Sequence, residues 1–136
     1  MRALCALLLI GVAGCANLQT GSCVTPASRR MTVTEMFFGR DIPGRAPLTE
    51  KEWSAFVALT ITKEFPDGFT VLDGDGYWLD PRTNAPAREG AKILIAAAVP
   101  SDGLAARIER ISDAYKTDFH QESVGVLAYR ACGNFQ

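Results

Sequence analysis

Few residues in this chain have the type and setting for chemistry. Arg40 follows Phe37-Phe38-Gly39, Asp67 stands in Phe65-Pro66-Asp67-Gly68, and His120-Gln121-Glu122 precede the last apolar stretch. An arginine can grip a carboxylate or phosphate through two parallel hydrogen bonds, and Glu122 or His120 beside it could serve as a base. The plainer role is an ion pair between Arg40 and Glu122 locking two strand ends, with His120 solvated. Arg40, Asp67, Gln121 and Glu122 are therefore the candidate ligand-binding residues, and no residue is assigned a catalytic role. The run Asp73-Gly74-Asp75-Gly76-Tyr77-Trp78-Leu79-Asp80 invites a calcium reading that its spacing defeats. Aligning Gly76 with the glycine of an EF-hand loop puts Val71 at the first ligand position and Arg82 where a bidentate glutamate belongs. A glycine-rich turn or bulge is expected instead. The same glycines lack the spacing of a dinucleotide or phosphate loop, and no serine sits in a nucleophile elbow. With one histidine in the chain, a multi-histidine metal site is excluded. No metal and no cofactor are expected.

The 136 residues suffice for one domain. Hydrophobic residues make up 48% and charged residues 21%, an ordinary globular balance that excludes a disordered chain. Lysine and arginine number 14 against 15 acidic residues, so no basic excess exists to neutralise phosphates, and no nucleic-acid partner is expected. The chain opens on Arg2 and an apolar run from Ala3 to Val12. That run is too short to span a bilayer and has the length of a signal-peptide core. It ends in Val12-Ala13-Gly14-Cys15, which resembles a bacterial lipobox. Residues 1–14 are expected to be a lipoprotein signal peptide, Cys15 the lipidated residue, and 15–30 a polar tether. The alternative is an ordinary signal peptide cleaved after Ala16. Alanine after Cys15 fits the outer membrane, with the protein facing the periplasm. Either processing leaves Cys23 and Cys132 at opposite ends of the mature chain in an oxidising compartment, where they are expected to pair.

The elements that must position the candidates fall in residues 31–136. Met31–Phe38 reads as a strand. Thr49-Glu-Lys-Glu52 is a capping box, and Trp53, Phe56, Val57, Thr60 and Ile61 give the helix that follows an apolar face. Phe65-Pro66-Asp67-Gly68 ends it. Phe69–Leu72 is a strand, broken or bulged at Asp73–Gly76 and resumed at Tyr77. Lys92–Val99 is the strongest strand and reads as central, with Arg88, Glu89 and Lys92 as its charged entry. Ser101 or Asp102 is expected to cap a second helix with its stripe at Leu104, Ile108, Ile111 and Tyr115. Ser123–Ala131 is the last strand. The order β-α-β-β-α-β predicts an α+β, ferredoxin-like fold, with a four-stranded antiparallel sheet and both helices on one face. Strand order 4-1-3-2 brings Cys23 to Cys132. It also places Arg40 near Gln121 and Glu122. Asp67 is expected at that same end, and Arg88, Glu89 and Lys92 at the other.

Several short motifs agree with one another in order: Phe37-Phe38-Gly39-Arg40, Glu52-Trp53, Phe65-Pro66-Asp67-Gly68-Phe69-Thr70-Val71, Gly76-Tyr77-Trp78, Arg88-Glu89, and Gln121-Glu122-Ser123-Val124. As a set they resemble the bacterial domain-of-unknown-function family 3574, often secreted or lipid-anchored, over about residues 31–131. The resemblance implies a location and domain limits but no reaction. The visible motifs favour a lipid-anchored, non-catalytic binding or interaction module of the cell envelope. The alternative is a small ferredoxin-like dimeric enzyme or ligand-binding protein with a pocket near Arg40 and Glu122. Neither side of the last strand or of Ile93–Val99 is polar through its middle. The sheet face without helices is therefore expected to be covered, by a second copy or by an envelope partner.

Overall fold

The computed structural model describes Cys23, Thr25 and residues 27–135. The expected signal peptide, residues 1–14, and Cys15 lie outside the described residues. Strand β1 (Arg29–Gly39) leads to a helix that starts at Glu50–Phe56, widens through a π turn (Val57–Ile61) and closes at Thr62–Glu64. Strands β2 (Thr70–Asp80) and β3 (Ala85–Ala98) form a hairpin, the second helix is Leu104–Phe119, and β4 is Gly125–Gly133. The sheet runs β2-β3-β1-β4, with all neighbours antiparallel. This is the expected α+β, ferredoxin-like arrangement. Among the described residues every strand, helix and buried core residue lies between Arg29 and Gly133.

Local chemistry accounts for most of these elements. The Thr49 hydroxyl accepts from the Glu52 backbone N–H (3.3 Å), and the Thr49 N–H donates to Glu52 Oε2 (2.8 Å). This reciprocal cap satisfies two donors that an uncapped helix leaves free. It also holds the Glu52 carboxyl down at about 2, chiefly through the Thr49 backbone bond. The π turn has a packing reason. Trp53 and Phe56 face the core, and the next inward residues are Ile61 and Phe65. One extra residue in the turn moves Thr60 off the core face and brings Ile61 onto it. The second helix buries Leu104, Ile111 and Tyr115 of the expected stripe, with Ile108 only partly buried, and adds Phe119. Its expected side-chain cap is absent: Gly103 is the N-cap and makes no side-chain bond. The Ser101 hydroxyl instead accepts from Arg107 (3.2 Å).

On the helix side of the sheet stand Thr34, Met36 and Phe38 from β1 and Leu94, Ala96 and Ala98 from β3, all buried. Phe38 is the hub, with its ring 4.7 Å from Tyr115 and 5.3 Å from Trp53. Lys92 lies on this side too. It is 3% exposed, and its ammonium pairs with Asp73 (2.5 Å) and Glu50 (2.8 Å). It ties the hairpin to the first helix and is not a solvated strand entry.

The glycines of Asp73–Gly76 do not break β2, which pairs with β3 without interruption from Thr70↔Ile95 to Asp80↔Ala85. A Cβ on Gly74 would stand 2.9 Å from Ile93 Cδ1, so the glycine leaves room for a cross-strand side chain. At the far end of the sheet Arg30 pairs with Cys132. Cys23 and Cys132 form the expected disulfide, 5.5 Å apart between Cα atoms and 109 residues apart in sequence.

Candidate functional site

One end of the helix-free face is concave. A cleft of about 880 Å³ opens there. Its floor is the face itself, with Phe37 from β1, Trp78 from β2, and Glu89 and Ile93 from β3. Asp41 from the loop after β1, and His120, Gln121 and Glu122 from the turn before β4, form the rim. The two loops are joined, because Gln121 Nε2 donates to the Asp41 carbonyl (2.6 Å). His120 ends the second helix in the left-handed region, at φ 53°, and this turns the chain down toward the cleft.

Glu89 is the distinctive group. It faces Gly39, where a Cβ would stand 2.8 Å from the Glu89 Cδ. Any other residue at position 39 would displace the carboxyl. Beneath it, on the helix side, the Tyr115 hydroxyl donates to the Gly39 carbonyl (2.8 Å). Gly39 is thus held between the core and the cleft. Burial pushes the Glu89 carboxyl up, and the Asp41 carboxylate pushes it the same way, against a hydrogen bond from the Asp41 backbone. Burial likewise raises the Tyr115 phenol, so it stays protonated. Asp75 is paired with Arg88 (2.9 Å) and Asp80 with Arg82 (3.5 Å). Asp41, Glu89 and Glu122 have no cationic partner among the described residues. A half-buried carboxyl whose protonated form is favoured by burial and by a neighbouring carboxylate is suited to giving and taking a proton. Trp78, 45% exposed, offers a flat surface for stacking. No group of three His, Cys, Asp or Glu residues among those described is placed to hold a metal.

The sequence candidates divide. Gln121 and Glu122 are at the cleft. Arg40 is not a free anion grip: its guanidinium donates twice to the Leu48 carbonyl (3.1 and 2.6 Å) and pairs with Glu50 (3.1 Å), so the pair with Glu122 does not form. Asp67 lies at the other end of the same face, beside a second depression with Arg29, Phe69 and Val99. Glu89, expected far away, sits at the cleft. One error of strand direction explains both misplacements. β3 runs antiparallel to β1, so its start lies beside the end of β1 (Gly39↔Ala91). β2 runs antiparallel to β3, so its start lies beside the end of β3 (Thr70↔Ile95). The signal for Glu89 was present in the alternation Glu89, Ala91, Ile93, Ile95, which puts it on the open face.

The family match covers residues 33–135. The chain belongs to the family described as protein of unknown function DUF3574. No curated protein matches this family member. Two solved structures share its fold. A phage SAM lyase in complex with S-methyl-5'-thioadenosine aligns at 14% identity and TM-score 0.57, covering 76% of this chain and 90% of that one. A phage SAM lyase in the apo state aligns at 14% identity and TM-score 0.55, covering 77% and 91%. These likenesses establish the fold. They also overturn the expectation of a non-catalytic binding module: the two matched structures are those of an enzyme, and the description of DUF3574 assigns no function.

Proposed function

We propose that this DUF3574 domain is a small-molecule enzyme, that the cleft is its active site, and that its substrate is an organic cation with a flat ring. The observation that carries this reading is Glu89, a half-buried carboxyl raised by burial and by Asp41, with no cation beside it. A bound cation would supply the missing charge. Glu89 would then move the proton that the reaction requires, while Trp78 and Phe37 take the flat part of the ligand. Gln121 and Glu122 at the rim would complete the polar contacts. The phage enzyme of the same fold acts on a sulfonium compound, which supports the choice of charge.

The test compares S-adenosylmethionine with S-methyl-5'-thioadenosine, a cation and a neutral thioether that share a nucleoside. Binding is followed by tryptophan fluorescence and calorimetry. The cation is expected to bind at least tenfold more tightly, and Glu89→Gln to shrink that ratio. Equal affinity for the two, or no binding of either, overturns the reading.

We also propose that Cys15 carries lipid and holds the domain at the outer membrane, facing the periplasm. The small residues Val12–Gly14 before Cys15, after an apolar run of signal-peptide length, support it. A labelled fatty acid is expected to mark the wild type and not Cys15→Ser. Equal labelling of both refutes it.

A further inference from the structure

The helix-free face is apolar over much of its length, with Glu35 at its middle and Glu89 at the cleft end. It carries Val33 and Phe37 from β1, Leu72 and Trp78 from β2, Ile93 and Ile95 from β3, and Leu127 and Tyr129 from β4, as the strand registers dictate. Leu72, Trp78, Leu127 and Tyr129 are all exposed. We infer that a second copy of this chain covers this face and roofs the cleft.

Size supports it. The four strands are 11, 11, 14 and 9 residues long. At ~3.3 Å of rise per residue and ~4.8 Å between strands they make a face of about 700 Å². A stable pair of proteins buries about 800 Å² on each partner, so the face with its side chains is of the right size for one copy.

Charge supports it as well. A two-fold contact sets like against like, which an apolar face tolerates and a charged face does not. The charged side chain at the middle of the face is Glu35, and its carboxylate accepts from the Tyr129 hydroxyl of the same chain (2.8 Å). It therefore requires no cation from a partner of different sequence.

The contact also bears on the cleft. Phe37 and Trp78 belong both to this face and to the cleft floor. A partner laid on the face would close the cleft from water, and a closed cleft strengthens every charge interaction inside it. This consequence rests on the cleft being the active site; the dimer itself does not.

The test uses the chain from Ala16 onward in sedimentation from one to a hundred micromolar. The wild type is expected to sediment as a dimer. Leu127→Arg, placed on the open face and outside the cleft lining, is expected to give a folded monomer whose melting temperature no longer depends on protein concentration. Leu59→Arg, a more exposed site on the first helix, is expected to leave the dimer intact. A wild type that stays monomeric at a hundred micromolar overturns the inference, as does a Leu127→Arg dimer or a dimer broken by Leu59→Arg. Ligand affinity read on the monomeric variant separates the two proposals. Binding that survives there without any wild-type dimer would sink this inference and leave the active-site reading standing.

Discussion

Lys92 offers the sharpest energetic prediction. Its side chain is 4% exposed, whereas those of its partners Glu50 and Asp73 are 63% and 73% exposed. The pair is therefore unequal. Removing the lysine leaves two carboxylates that water can hydrate. Removing the carboxylates leaves an ammonium with neither water nor partner. Lys92→Met keeps the buried stem and loses two charge-assisted bonds made to exposed acids, so the net cost is expected to be only ~1 kcal/mol. Glu50→Ala with Asp73→Ala strands the buried ammonium, which costs about 3–5 kcal/mol. For a domain of this size each kcal/mol shifts the melting temperature by roughly 4–8 °C. Lys92→Met should then melt within about 8 °C of the wild type, and the double variant at least about 12 °C below it. Urea midpoints and thermal melts of the disulfide-bonded chain measure both. The double variant should also regain stability as pH rises. Its lysine would titrate lower when folded than when unfolded, so the charge penalty is lost as pH rises through the folded value. A Lys92→Met variant that loses as much as the double variant would refute the reasoning, because it would make the lysine a packing element instead of a charge to be satisfied.

The Glu89 carboxyl is raised on folding, so the folded state binds the extra proton and stability falls as pH rises from the ordinary carboxylate range through the folded value. Glu89→Gln should flatten that slope and be the more stable protein at neutral pH, which urea midpoints between about pH 4 and 8 would show; an unchanged slope counts against the buried-carboxyl assignment. The Thr34 hydroxyl is buried without a hydrogen-bond partner, so Thr34→Val should stabilise by about 1 kcal/mol in chemical denaturation, and a loss would mean that the hydroxyl is satisfied in solution. The Cys23–Cys132 bridge closes 109 residues of sequence, and reducing it should cost up to about 4–5 kcal/mol. Non-reducing peptide mapping should recover the joined pair, and two free thiols in oxidised material would refute it.

Much of this fold was legible in the residues because it depends on short-range order. The Thr49–Glu52 cap joins residues three apart. The stripe Leu104, Ile108, Ile111, Tyr115 and the alternation Leu94, Ala96, Ala98 follow the period of one helix and one strand. Element order then restricts the topology to few choices, and the pairing of Cys23 with Cys132 follows from it. The π turn was not legible, because it answers the depth at which Ile61 and Phe65 meet the sheet. Nor was the role of Arg40, since a guanidinium takes the partner that the backbone brings within reach, and here that is the Leu48 carbonyl. The cleft depended most on tertiary structure. Glu89, Asp41, Trp78 and Glu122 come from four separate segments, and only the antiparallel register of β1 with β3, which sets Ala91 opposite Gly39, brings the Glu89 side chain over Gly39. Residue type determined that these groups can carry charge or stack, and the sequence pattern determined the elements that hold them. Which of them share a surface was decided by strand direction and register, which depend on packing between segments far apart in the chain.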